Sequence, residues 1–224
     1  MLQTVALHLQ CLFRTPDRRK FAPQRNLPAE RDRDDPAVHG GYLSDVAPLR
    51  ARARRDVAGG AVTRGYGADR DTMLRLLNQA LATALVCTLR YRRHYFMASG
   101  PEAESVRQEF LERAQQKLEH ADRIAARIVE LNGEPDFNPR GLTERSHAEY
   151  IAGDSLQSMI REDLVAERIA IDSYRQMIAC LAAGDPGTRR LLEELLARDE
   201  LHAGHLASRL QGVSSAARAP GARS

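Results

Sequence analysis

Four amphipathic segments, each long enough for a full helix, follow a polar lead-in. In the first, Leu77, Ala80, Leu81, Ala84, Thr88, Tyr91 and Tyr95 recur at helical spacing on one face. Asp69 or Asp71 is placed to cap its start, and Ser99-Gly100-Pro101 ends it. The second runs from about Pro101 to Leu131, with Phe110, Ala114, Lys117, His120/Ala121, Ile124, Ile128 and Leu131 inward. Asn132-Gly133 stops it as a pair suited to left-handed backbone. The stretch EPDFNPRGLTERSHAEYIAG exceeds a tight helical turn and predicts a crossover with one short helix. The third segment runs from about Asp154 to Ala182, with Leu156, Ile160, Leu164, Glu167, Ile171, Tyr174, Ile178 and Leu181 inward. Asp185-Pro186 then supplies an N-cap and a first-turn proline for the fourth, whose stripe is Leu192, Leu195, Asp199, His202, Leu206 and Leu210. Two helical hairpins joined by a long crossover predict an all-α four-helix bundle whose third helix runs parallel to its second.

The two halves repeat. Aligned at His120 and His202, HADRIAARI and HAGHLASRL share His, Ala, Ala and Arg in register. Upstream, Tyr91 follows Ala84 by the same interval at which Tyr174 follows Glu167. One helical hairpin therefore occurs twice, and the repeat fixes the architecture.

Outside the repeat the pattern fades. Residues 1–45 mix Pro, Arg, Asp and Gln without apolar period, the mark of a disordered extension. Its Arg residues are interleaved with Asp32, Asp34 and Asp35, which favours a solvated tail over a nucleic-acid grip. Residues 46–67 form an arm, with a helical turn at LRARARRDV broken by GGAVTRGYG. The bundle is assigned to residues 68–211 and a flexible tail to 212–224. The net charge of +3 is mild for 224 residues. Three cysteines without C-x-x-C argue against a disulfide framework and for a reducing, cytoplasmic compartment. No continuous apolar run approaches the ~20 residues of a membrane span, and the start lacks the marks of a secretory signal.

The chemistry sits inside the stripes. Lys117, His120, Glu167, Asp199 and His202 fall on faces that are otherwise apolar. A buried unpaired charge is costly, so these groups must meet one another or an ion. Bundles of this topology commonly hold two iron ions, with one Glu from each of two helices and Glu-x-x-His from each of the others. Carboxylates and imidazoles suit iron, and an i, i+3 pair projects to one side of a helix.

The segments LLNQALATALVCTLRYRRHYFMA, HADRIAARI, VAERIAI and RDELHAGHL resemble bacterioferritin and its ferritin-like relatives. The likeness runs from about Val62 to Leu210 and extends to the arm from Leu49 to Tyr66. It implies a hollow homo-oligomeric shell that oxidises Fe²⁺ with oxygen or peroxide and stores the ferric product. The ligands implied by the resemblance do not all survive. Ala84 stands where the first helix supplies Glu, and Lys117 where the second does. Glu167 is intact, Asp199 keeps a carboxylate on a shorter stem, and His120 and His202 remain. Leu118 stands at the haem-ligating Met position, so no haem is expected. Two carboxylates and one ammonium leave one negative charge, and two Fe²⁺ would leave about three positive charges uncompensated in a low-dielectric core.

The Lys117 ammonium is therefore expected to replace one metal by bridging Glu167 or Asp199, the alternative being that its stem snorkels outward. One Fe²⁺ or Zn²⁺ held by His120, Glu167, Asp199 and His202 is a second option, and hydrogen-bonded core histidines a third. Tyr91 and Tyr174 are read as core tyrosines turned toward the carboxylates. His205 is read as a helix-rim residue, and His39, His94 and His147 as surface. Three functions remain in play: an iron-binding oligomer with a depleted centre, alone or mixed with an intact paralogue; a DNA-protecting coat protein; and an oxidase with a lysine in its site.

Overall fold

The computed structural model describes residues 46–216 apart from 56, 64, 101, 102, 182 and 183, with side chains described up to 212. The extension 1–45, including His39, and the tail after 216 lie outside the described residues. In chain order the helices are α1 (Ala47–Arg55), α2 (Arg70–Met97), α3 (Ala103–Glu130), α4 (Leu142–Arg145), α5 (Leu156–Leu181) and α6 (Pro186–Ala216). The four long ones form the bundle, α2 packing chiefly on α3 and α5 on α6. Short α4 sits in the crossover and rests on α2.

The helix ends obey local chemistry. Asp69 caps α2, accepting from Thr72 N–H at 3.2 Å and from the Thr72 hydroxyl at 2.8 Å. Asn132 takes φ 57°, and its N–H donates to Val129 while Gly133 N–H donates to Ile128. These two bonds close α3 and satisfy carbonyls that its last turn leaves free. Asp185 caps α6 from a buried position. It accepts from the Thr188 N–H and hydroxyl, from Arg127 at 2.8 Å, and from the Tyr66 hydroxyl at 2.9 Å. The last bond ties the arm to the turn between α5 and α6.

At the same turn, Gly67 N–H donates to Gly184 O at 3.1 Å. A Cβ at Gly184 would lie 2.5 Å from the Gly67 carbonyl carbon and 2.6 Å from Ala68 N. Backbone on both sides cannot step aside as a side chain can. Gly184→Ala is expected to cost about 1–3 kcal/mol, as overpacking does. Urea unfolding measures this, and an unchanged midpoint would refute the close seating of the arm.

Two apolar clusters fill the bundle. One contains Leu77, Leu81, Ile124, Ile128, Leu192 and Leu195. The other contains Tyr91, Phe110, Met159, Ile160 and Leu206. Every inward residue expected on α3 is buried, Lys117 and His120 included. The α5 stripe needs correction: Leu156, Leu164 and Ile178 are only half-buried, and Met159, Asp163, Ala166, Ala170 and Met177 are buried beside Ile160 and Glu167. The fourth helix also continues past the expected end at Gln211 to Ala216. Gly212 in a helix interior costs about 1 kcal/mol relative to Ala, too little to end a helix already propagated this far. By length and composition α2 as a whole could span a bilayer, although no single run in the sequence is long enough. Its apolar residues are largely buried inside the bundle.

Candidate functional site

The polar positions of the four stripes meet in the middle of the bundle. Lys117 is 3% exposed, and its ammonium Nζ lies 2.7 Å from Glu167 Oε2 and 2.8 Å from Asp199 Oδ2. The side chain thus points inward and touches both carboxylates instead of running out along its stem. The Tyr91 hydroxyl donates to Glu167 Oε1 at 2.8 Å, and His202 Nδ1 lies 3.0 Å from the same oxygen. Tyr174 is buried on the same helix as Glu167. Ala84, 3% exposed, closes the side contributed by α2 without a polar side-chain atom.

Hydrogen bonding divides the two carboxylates. Glu167 receives Lys117, Tyr91 and His202. Asp199 has the lysine contact, with His120 Nδ1 at 3.6 Å, beyond hydrogen-bond range. Burial opposes ionisation of both, but at Glu167 the ammonium and the His202 bond outweigh it and hold that carboxyl well below its ordinary range. Burial pushes Asp199 up, and the Glu167 charge adds to this against the pull of Lys117, so it titrates at about 7. The ammonium also resists losing its proton. Burial alone would lower it, but Glu167 and Asp199 together raise it well above the ordinary lysine value. The Tyr174 phenol is pushed up by burial and by Asp199.

Both histidines are neutral for the same reason. Burial, then the Lys117 charge, pushes His120 down to about 3, and burial lowers His202. Among the described residues, neither ring nitrogen of His120 has a partner, nor has Nε2 of His202. An unsatisfied buried polar atom costs roughly 1–3 kcal/mol, and the lysine contacts satisfy none of these three. Among the described residues, no three His, Cys, Asp or Glu side chains are arranged to hold a metal ion. The expected set of His120, Glu167, Asp199 and His202 is therefore gathered but not preformed for coordination, because the ammonium lies between its two carboxylates.

The raised Asp199 predicts a pH dependence. Its folded value of about 7 exceeds the unfolded one near 4, so the native state holds the extra proton between them and stability falls as pH rises through that window. An asparagine at this position cannot ionise. Asp199→Asn is therefore expected to gain on the wild type by up to about 1.4 kcal/mol per pH unit between pH 5 and 7. Urea unfolding at pH 5, 6, 7 and 8 tests this, and a difference constant with pH would contradict it.

A second buried cluster lies beside the first. Arg90 Nε is 3.0 Å from Asp163 Oδ1, and His94 Nδ1 is 2.8 Å from Asp163 Oδ2. The sequence pattern places His94 at the surface beside Arg92 and Arg93, yet it is fully buried. It faces inward because it falls one turn after Tyr91 on α2. Asp163 and Arg90 are missing from the set of residues that the stripes single out. Their signals are nonetheless present, since Asp163 precedes Glu167 by one turn and Arg90 adjoins Tyr91. Cys87 stands beside Arg90, with burial pushing its thiol up to about 11. His147 is exposed as expected, sharing a hydrogen bond with Ser173, and His205 lies at the rim near Arg113.

Bundle, internal repeat and the central His and acid positions together define the class, and comparison with known proteins agrees. Residues 74–215 match the ferritin-like domain family, and the chain belongs to that family. It is 32% identical over 134 residues to the nutrient stress-induced DNA-binding protein of Nostoc sp. strain PCC 7120, covering 58% of this chain and 73% of the relative. It is 29% identical over 144 residues to the bacterioferritin of Mycobacterium avium, covering 62% of this chain and 84% of the relative. Among solved structures it resembles the dodecameric thioferritin of Bacteroides fragilis, a bacterioferritin-related protein, with TM-score 0.64 and 26% identity over 66% of this chain and 90% of the other. Dps from Thermosynechococcus elongatus superposes with TM-score 0.60 at 24% identity, over 62% of this chain and 90% of that one, a likeness of fold.

Proposed function

We propose that this protein is an iron-binding, bacterioferritin-like subunit of a homo-oligomer whose oxidation centre is depleted, so that it oxidises iron weakly or not at all. The family implies iron. The observation that carries the reading is the Lys117 ammonium, seated 2.7 and 2.8 Å from the two remaining carboxylates. Those contacts are where cations would bind, and the lysine already neutralises one charge. The donors present do not fit two ferrous ions: two acids, one of them titrating at about 7, face a fixed cation, and Ala84 offers nothing. The orphaned nitrogens of His120 and His202 leave room for one divalent ion at most, and only if the ammonium withdraws.

Assembly into a homo-oligomer is supported by apolar side chains left outward on α2 and α3: Leu89, Phe96, Leu118 and Val129 are 54%, 67%, 41% and 57% exposed. Such faces are commonly covered by another copy in multimeric proteins. Anaerobic Fe²⁺ titration of the assembled protein tests the central reading. At most one ion per subunit at the centre, with slow dioxygen uptake, is expected. Two ions per subunit with rapid uptake would overturn it.

A second reading, protection of DNA, has one observation in its favour. Arg50, Arg52, Arg54 and Arg55 of α1 are all exposed, no residue of that helix is buried, and its first turn carries no acid. If α1 grips phosphates, DNA affinity falls steeply with salt and is lost when residues 1–60 are removed.

A further inference from the structure

We infer that the seam between α3 and α6 is the way into the buried centre, and that the Glu119–Arg198 ion pair is the latch across it. The other walls are closed by packing. One apolar cluster, with Leu77, Ile124 and Leu195, fills the bundle at one end of the centre. The other, with Phe110, Ile160 and Leu206, fills it at the opposite end. The helices of each hairpin pack closely, α2 on α3 and α5 on α6. Between α2 and α5 stand Arg90 and His94, both buried and both joined to the buried Asp163.

That leaves α3 and α6, which approach each other least closely of the neighbouring helix pairs. What spans this seam is charge. Glu109 meets Arg209 at 3.3 Å, Glu119 meets Arg198 at 3.0 Å, and Arg123 meets Glu194. Each step forward along α3 pairs with a step back along α6, so the three pairs form a ladder over two antiparallel helices. Both side chains of the middle rung are exposed. An exposed ion pair holds weakly and is screened by salt.

The middle rung stands directly over the centre. Glu119 precedes His120 on α3, and Arg198 precedes Asp199 on α6. Beneath the rung, His120 Nδ1 faces Asp199 Oδ1 across the same seam at 3.6 Å. Among the described residues, neither nitrogen of that ring is hydrogen-bonded. The wall here is thin. The Arg198 and Arg123 charges reach His120, and the charge of Arg113, also on α3, reaches Asp199 and His202. Parting the Glu119–Arg198 pair therefore uncovers His120. Glu167, bonded to Lys117, Tyr91 and His202, stays behind it. A small solute entering from water meets His120 first.

Acylation of the full chain at pH 7 by diethyl pyrocarbonate, a small uncharged reagent that attacks unprotonated imidazole, tests this when each modified histidine is mapped by peptide mass. His120 is neutral at that pH, so access sets its rate. Arg198→Ala is expected to speed modification of His120 by about threefold to fivefold, as the loss of one exposed ion pair allows. Arg198→Lys, which keeps a cation facing Glu119, stays near the wild-type rate. Arg175→Ala breaks the exposed Arg175–Glu200 pair between α5 and α6 and leaves His120 unchanged. His94, fully buried on α2, is the internal control. Opening of the seam leaves its rate alone, whereas unfolding of the bundle exposes both rings. No acceleration at His120 in Arg198→Ala, the same acceleration in Arg175→Ala, or a parallel rise at His94 would overturn the inference. The reagent carries no metal, so its result and that of the iron titration can fail separately.

Discussion

Lys117→Met loses about 3–5 kcal/mol of stability at pH 7, the cost of leaving a buried charge without its partner. The methionine fills most of the same space, so the loss reports charge and not a void. Glu167 keeps Tyr91 and His202 as donors, whereas among the described residues Asp199 keeps only His120, at 3.6 Å. Part of the loss is recovered as pH falls: Asp199, which titrates at about 7 even beside the lysine, holds its proton to higher pH once the ammonium is gone, so the deficit already narrows as pH falls toward 7. At roughly 2–4 °C per kcal/mol for a domain of this size, the melting temperature drops by about 10 °C. The variant also gains what the wild type lacks. With the ammonium gone, two carboxylates face the free nitrogens of His120 and His202. Zinc, which brings no redox chemistry, is expected to raise the variant's melting temperature, since a ligand at a hundred times its Kd stabilises by about 2.7 kcal/mol. The wild type is expected to show no such rise. Equal shifts in both would mean that the lysine does not guard the site.

The architecture was legible because the stripes were long and most of their ends were marked, the end of the fourth helix excepted. Asp69, Asn132-Gly133 and Asp185-Pro186 each act in the structure at the end where the pattern puts them. Lys117 was legible as well, since a lysine between Ala114 and Ala121 on an apolar face has few places to go. The Arg90–Asp163–His94 cluster is harder to see. Arg90, Arg92, Arg93 and His94 stand close together in sequence, and a run of basic residues reads as a solvated surface. Periodicity sorts positions by angle, but a polar residue near the edge of a stripe turns inward only if a partner waits there. That partner, Asp163, lies on another helix, where the apolar pattern runs through its neighbour Leu164 instead. The sequence does not reveal that two buried clusters face one another until the helices are packed.

Ala84→Glu with Lys117→Glu is expected to turn the centre into a two-ion site, at the cost of making the fold depend on metal. The double change gives four acids, enough to balance two ferrous ions. In anaerobic titration the second ion per subunit appears only in the double variant. Ala84→Glu alone adds one acid but leaves the ammonium in contact with Glu167 and Asp199, and no second ion binds. Lys117→Glu alone removes the cation but leaves the α2 side without a ligand. Neither single change gives two ions: Lys117→Glu, like Lys117→Met, admits one, and the second needs the acid at position 84 as well. Without metal the double variant is severely destabilised. The glutamate introduced on α2 is forced into the place of Ala84, which is 3% exposed in the wild type. That costs about 1–3 kcal/mol in packing, and four mutually repelling carboxyls must then protonate. Its melting temperature should therefore rise steeply with Fe²⁺ or Zn²⁺. Asp199 carries its carboxylate on a stem one methylene shorter than a glutamate would, so the second ion should bind more loosely than the first. Two distinct binding steps in the double variant, against one or none in the wild type, is the expected isotherm. A second ion bound by the wild type would show that the lysine yields to iron, and the charge argument would fall with it.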